Sequence, residues 1–338
     1  MKVTVIGAGV AGLACAVELA ERGIAVEVVD QGEEIGAKSC SWYAGGMLAP
    51  WCEFENAEEP VLRLGREAIG WWARHCPGVV ENGTLVVAQP RDVPDLDRFA
   101  RRTEGYEQIG GNRIAELEPD LGGRFQRALF FSREAHLDPR AALTTLSQKL
   151  TEMKVAIRFG VETSLEEAEA EADWTIDCRG LAARDSLPDL RGVKGEMLLI
   201  RSHDVTLDRP VRMLHPRIPL YIVPRGDGLF MIGATMIESD ERYRITARSM
   251  MELLGGAYAL HPAFGEAEIV EIGTDVRPAF ADNLPCIRRR GRVIHVNGLY
   301  RHGYLLAPAL ARMTAEAILD ETHVPEMMDE NQRERENA

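Results

Sequence analysis

The sequence predicts an α/β protein carrying a second, mainly antiparallel β sheet, and three observations predict it. Residues 3–30, VTVIGAGVAGLACAVELAERGIAVEVVD, place an apolar run, a glycine-rich turn, an amphipathic stretch, a second apolar run and an aspartate in unbroken order. From about 192 to 285 the style changes to strands, among them GEMLLIRS, LYIVPR and LFMIGATM. Near the C-terminus, RVIHVNG and YLLAPALARMTAEAILD return to strand followed by helix. A Rossmann-type nucleotide domain built from the start, middle and end of the chain, with an antiparallel sheet inserted, satisfies all three.

Each element has a local reason. Residues 2–6 read as a buried strand and 10–22 as a helix, with Leu13 and Val17 one turn apart. Gly23 stops that helix and 25–29 make the second strand. Residues 61–75 read as a helix ended by Pro77-Gly78, and GTLVVAQP as a strand. Short helices are expected at 92–103 and 112–118. The helix at 138–153 has Asp138 at its N-cap and Pro139 in its first turn. VAIRFG and WTIDCRG are strands separated by a very acidic stretch, 162–173. Gly226-Asp227-Gly228 joins two strands as a hairpin turn, and a helix at 246–259 precedes further strand. The expected nucleotide domain covers 1–78, 135–190 and 286–325. The expected substrate domain covers 79–134 and 191–285. Residues 326–338 form a polar tail, with fraying expected from about 321.

Composition narrows the function classes. The 338 residues carry a formal net charge of -14, with 46% hydrophobic and 27% charged residues. That balance argues against nucleic-acid and anionic-membrane partners. No signal peptide and no run of about 18 apolar residues is visible, so a cytoplasmic protein is expected. The six cysteines are scattered without a CxxC pair and the eight histidines lack metal spacing, so reduced thiols and no metal site are expected.

Gly7, Gly9 and Gly12 form G-x-G-x-x-G between a strand and a helix. Gly7 permits the tight turn, Gly9 the close approach of a pyrophosphate, and Gly12 the packing of helix on strand. The helix N-terminus offers N–H groups to phosphate, and Asp30 can accept from a ribose hydroxyl. This fingerprint fits NAD or FAD. SCSWYAGGMLAP (39–50) lets backbone run along an extended cofactor, WTIDCRGLAAR ends a strand at Arg179-Gly180, and VIHVNGLYRHGYLLAPALA opens a helix whose dipole can face a flavin. These three favour FAD.

In the order GAGVAGL…D, AGGMLAP, LYIVPRGDG…IGATM, DVRPAFADNLP and NGLYRHGYLLAPALA, residues 3–320 resemble the glycine oxidases of bacterial thiamine biosynthesis, within the D-amino-acid oxidase superfamily. The resemblance implies an enzyme in which a hydride leaves the substrate Cα for N5 of noncovalent FAD, the imine is released and O2 is reduced to H2O2. It implies glycine as substrate, with sarcosine and small D-amino acids tolerated, and thiazole synthase as user of the imine. Arg277 matches the substrate-carboxylate arginine, whose planar fork suits a carboxylate. Tyr221 matches a tyrosine that also reaches the carboxylate, and Met236 a methionine that limits space near Cα. Arg301 lies where the family turns past flavin and substrate. His302 is given no base role, because a neutral amine can lose hydride without one. Relatives can carry a histidine two residues before the tyrosine, where this chain has Pro219.

The resemblance places FAD against Val10 and Ala11 at the turn, beside Gly7, Gly9 and Gly12. Asp30 and Gln31 fall at the ribose, and Cys40, Ser41, Gly45, Gly46 and Met47 run along the cofactor. Val161 offers backbone to the adenine and Gly180 ends the second crossing. Leu299, Tyr300, Arg301, His302, Gly303, Tyr304 and Leu305 close the isoalloxazine end. A homo-oligomer is expected. Two other readings stay open: a sarcosine or D-amino-acid oxidase or quinone-linked dehydrogenase of the same superfamily, and a nucleotide-binding protein without catalysis.

Overall fold

Strand Lys2–Ile6 lies at the centre of a six-stranded sheet, and the computed structural model describes it with residues 1–215 and 220–329. The order across the sheet is Cys286–Arg290, Val293–Asn297, Trp174–Asp177, Lys2–Ile6, Ala25–Val29 and Ala156–Arg158. All neighbours run parallel except the first pair, which is an antiparallel hairpin. Segments from three distant parts of the chain therefore meet in one sheet. The C-terminal ends of its parallel strands open toward the glycine turn, where such sheets bind ligands.

Helix Val10–Glu21 is buried along nearly its whole length, which explains its apolar sequence on every side. It packs against Pro139–Glu152 and the C-terminal helix Gly303–Leu319, which also meets Glu59–His75. Asp138 caps Pro139–Glu152, its carboxylate accepting the N–H groups of Arg140 and Ala141.

The second sheet runs Ile237–Glu238, Arg191–Arg201, Leu229–Gly233, Leu220–Pro224, Val211–Leu214, Thr84–Ala88, Arg127–Phe131 and Glu107–Gly110. The long strand Glu268–Ala279 pairs antiparallel with Arg191–Arg201. Among the described residues of this sheet, only Val211–Leu214 and Thr84–Ala88 pair in parallel. At the 226–228 hairpin all three residues have positive φ, and Asp227 tolerates it at 51°.

Three local readings need correction. The acidic stretch 162–173 is not a plain connection. It contains helix Leu165–Glu171, started by a capping box between Ser164 and Glu167. Residues 107–110, 127–131 and 211–214 are strands, although their sequence carries no pattern that distinguishes them from the irregular segments around them. The expected fraying from 321 does not hold through 329. Met327 and Met328 are buried, Met328 bridges to Ile287, and Arg288 pairs with Asp329. Two consecutive methionines give this segment an apolar anchor that its charged neighbours conceal in a composition reading. Residues 330–338 and Pro219 lie outside the described residues.

Candidate active site

The glycine turn is built as its spacing requires. Gly7 has φ of +106°, and a Cβ there would lie 2.5 Å from the Cys178 carbonyl oxygen. A Cβ on Gly12 would lie 1.8 Å from the Gly7 oxygen, so Gly12 closes helix onto turn. Gly9 is the N-cap of Val10–Glu21 and makes no side-chain cap, and Gly9, Val10 and Ala11 line a cavity. The Val10 N–H donates to Ser41 Oγ at 3.2 Å.

Asp30 is held at the end of its strand by two backbone donors, Ala8 N–H to Oδ2 and Gly32 N–H to Oδ1, each at 2.6 Å. A carboxylate has lone pairs beyond these two, so it can still accept a hydroxyl. The Val161 N–H donates to the Asp30 carbonyl at 3.0 Å, so the backbone group Val161 can offer is its carbonyl.

All the expected cofactor residues except Gly12 line one continuous cavity of about 810 Å³, and Arg277, Tyr221, Met236 and Arg301 line it too. Gly12 stands behind the turn as a packing residue. Gly46 has φ of +69° and would carry a Cβ 2.1 Å from the Leu137 oxygen, so the chain can follow the cavity wall only with glycine there. Arg225, which the sequence reading missed, fixes that wall by donating to the carbonyls of Ala44, Gly45 and Leu137. Cys40 is a neutral thiol, since burial first and Asp275 second push it up to about 12. Tyr304 lines the cavity, but its hydroxyl already donates to the carbonyls of Ser41 and Pro139.

A cavity with a glycine turn and two helix N-termini at its wall fits a long dinucleotide. The residues at the far end decide what else fits. Tyr221 lies between two bare backbones: a Cβ on Gly45 would be 2.7 Å from its ring and one on Gly233 2.8 Å from its hydroxyl. Arg277 donates through Nη1 to the Thr235 carbonyl at 3.1 Å. Among the described residues no carboxylate lies within 4 Å of its guanidinium. The Asp275 carboxylate two residues away feels this charge but pairs with Arg242 at 3.5 Å, which leaves the Arg277 fork open to a ligand.

Arg301 differs. Its Nη2 lies 3.0 Å from Glu53 Oε2, and Arg212 binds the other oxygen of the same carboxylate. Met236 Sδ accepts from Arg301 Nη1 at 3.4 Å and from the Tyr300 hydroxyl at 3.5 Å. Burial alone would raise the Glu53 carboxyl, but Arg301 and Arg212 hold it down to about 2. His302 lies 3.6 Å from Glu53, and burial with its cationic neighbours lowers it to about 4, so it is neutral. Two guanidiniums sharing one carboxylate leave an excess positive charge at this end, to which Arg277 adds. Neither Glu53 nor Arg212 was named from sequence. Glu53 lies three residues beyond the quoted stretch SCSWYAGGMLAP, and its partner Arg212 is 159 residues away.

Behind this cluster the buried Glu134 accepts the Cys52 N–H at 2.8 Å, and burial raises its carboxyl from 4.5 to about 7. A raised carboxyl contributes stability that is fully present below 4.5 and lost as pH rises through 7. Glu134→Gln keeps an acceptor and cannot ionise. Its melting temperature should gain on wild type between pH 5 and pH 8, by up to about 3 kcal/mol of stability. A gap that stays constant with pH contradicts this.

A family model described as FAD dependent oxidoreductase matches residues 2–317. The chain is 55% identical to a Rhizobium etli protein described as a thiamine biosynthesis oxidoreductase, ThiO, over 96% of this chain and 99% of that one. It is 26% identical to the glycine oxidase of Bacillus licheniformis over 99% of this chain and 97% of that protein. The crystal structure of glycine oxidase from Geobacillus kaustophilus superposes with a TM-score of 0.80, covering 96% of this chain and 95% of that one at 23% identity. That last likeness speaks for the fold alone. Among the described residues no helix is long and apolar enough to cross a membrane.

Proposed function

The chain belongs to the FAD dependent oxidoreductase family, and from that premise we propose that it oxidises glycine at Cα. The overall reaction takes glycine, O2 and water to glyoxylate, ammonia and H2O2, or delivers the imine to thiazole synthase before water adds. Bound FAD supplies the two-electron acceptor. The turn Gly7–Ala11 would hold its pyrophosphate, Asp30 and Gln31 a ribose, the 40–47 loop its length, and residues 299–305 its ring end.

The observation that carries this reading is Arg277, a cavity-lining guanidinium that among the described residues forms no ion pair, its near neighbour Asp275 being paired with Arg242. It binds the substrate carboxylate, and Tyr221 adds its hydroxyl. Met236 limits the room left for a side chain on Cα, which favours glycine, sarcosine and small D-amino acids. Arg301, paired with Glu53, supports the positive field rather than gripping the substrate. His302 is neutral, buried and at the N-cap of the last helix, so it holds geometry and takes no proton. The family's chemistry needs no protein base when the amine enters uncharged.

The protein should purify yellow with stoichiometric FAD released on denaturation. A screen of small amines in air, read by peroxide, should rank glycine, sarcosine and D-alanine as substrates. A colourless protein that binds NAD and cannot be reconstituted with FAD contradicts the assignment.

A further inference from the structure

Strand Arg191–Arg201 passes directly beneath Arg277. In the antiparallel register Val193 faces Arg277 and Gly195 faces Asp275, so the arginine side chain reaches diagonally over Gly195. A Cβ at Gly195 would lie 2.2 Å from Arg277 Nη2, 2.4 Å from Cζ and 2.6 Å from Nη1. The guanidinium occupies the space that any side chain at 195 would fill.

The neighbours of Gly195 do different work. The Thr235 carbonyl accepts a hydrogen bond from Arg277 Nη1, and Glu196 fixes Thr235 at three points. The Thr235 N–H donates to the Glu196 carbonyl at 3.2 Å, the Glu196 N–H donates to Thr235 Oγ1 at 2.9 Å, and that hydroxyl donates to Glu196 Oε2 at 2.9 Å. Glu196 is 0% exposed, and Lys194 Nζ lies 3.1 Å from its other oxygen. Lys194 is in turn held by Glu241 at 2.6 Å. A buried ionic chain of this kind is expensive to desolvate and is weak evidence of stability. Here it ends on the one carbonyl that orients a guanidinium on a long, flexible stem.

We propose that Gly195, Thr235 and Glu196 are positioning residues that hold the Arg277 fork ready for a carboxylate. This rests on the reading of Arg277 as the carboxylate anchor. Ordering the side chain before the ligand arrives removes a cost that binding would otherwise bear. Gly195→Ala tests the idea cleanly. Its new Cβ meets the far end of a flexible side chain, so the arginine is displaced while every charge in the site is kept.

The test measures acetate binding to the FAD-loaded protein by its perturbation of the flavin absorbance, alongside melting temperature and the kcat and KM for glycine. Wild type binds acetate and Arg277→Ala does not. Gly195→Ala weakens acetate binding about tenfold to a hundredfold, as expected for a displacement of an ångström, with FAD content unchanged. Thr235→Val weakens it in the same direction, and Thr235→Ser restores binding relative to valine because the hydroxyl returns. KM for glycine rises more than kcat falls in both weakened variants. If Gly195→Ala and Thr235→Val bind acetate like wild type while Arg277→Ala does not, the positioning role is wrong and the anchor stands. If Arg277→Ala binds acetate like wild type, the anchor itself is wrong and the cradle has nothing to position. Should Thr235→Val fail to fold, the Gly195→Ala result decides alone.

Discussion

Arg277→Ala should give a folded, yellow protein that has lost amino-acid turnover. The side chain lines the cavity and its polar contact is a backbone carbonyl, and the carboxylate that feels its charge, Asp275, keeps Arg242 at 3.5 Å when it is removed. What is lost is the partner of the incoming carboxylate. Removing one member of a desolvated charge pair costs roughly 2–5 kcal/mol, so kcat/KM for glycine should fall by about 30-fold or more. Arg277→Lys should recover only part of this, since an ammonium keeps the charge and loses the fork. Stopped-flow reduction of the flavin under nitrogen, across a glycine series, separates weaker binding from slower reduction. Reduction of the alanine variant at the wild-type rate and affinity would make Arg277 a structural residue.

The second large effect is expected at Glu53. Its carboxylate is shared by Arg212, which is buried, and Arg301, which faces the cavity. Glu53→Ala leaves both guanidiniums without their counter-ion, and breaking a buried pair in this way costs about 3–5 kcal/mol. The melting temperature should drop by roughly 6–15 °C, because each kcal/mol is worth a few degrees in a chain of this size. A pH series adds a sign. The Glu53 carboxyl is held at about 2, below its ordinary 4.5, so its contribution is fully present above 4.5 and is lost as pH falls toward 2. Wild type should therefore lose stability over that acid window more steeply than Glu53→Ala. Equal melting temperatures at pH 7 would show that the cluster carries no stability.

The contrast between these two residues shows what a sequence discloses. The turn Gly7–Gly12 with Asp30 is legible because every contact that defines it is local or lies one strand away. The structure then shows the contact each glycine avoids or permits. Arg277 was legible only through the resemblance of DVRPAF to a family motif; composition gives no reason to choose it among many arginines. Glu53 and Arg212 were missed because their pairing depends on a sheet that brings distant segments together. Gly195 is a stronger case. A glycine inside a strand signals close approach, but only the register with Glu268–Ala279 reveals that a guanidinium is what approaches. The helix at Leu165–Glu171 did have a signal, Ser164 followed by Glu167, hidden within a run of acidic residues that reads as solvated connection. The anchoring of Met327 and Met328 had only two residues to announce it.

Reduction of the FAD-loaded protein in the absence of oxygen, by glycine and by methylamine side by side, tests the assignment most directly. Methylamine presents the same amine with no carboxylate for Arg277. Glycine should bleach the flavin and release glyoxylate and ammonia in proportion to the FAD reduced, while methylamine leaves the spectrum unchanged. Faster bleaching by methylamine than by any amino acid would contradict the carboxylate-anchored site.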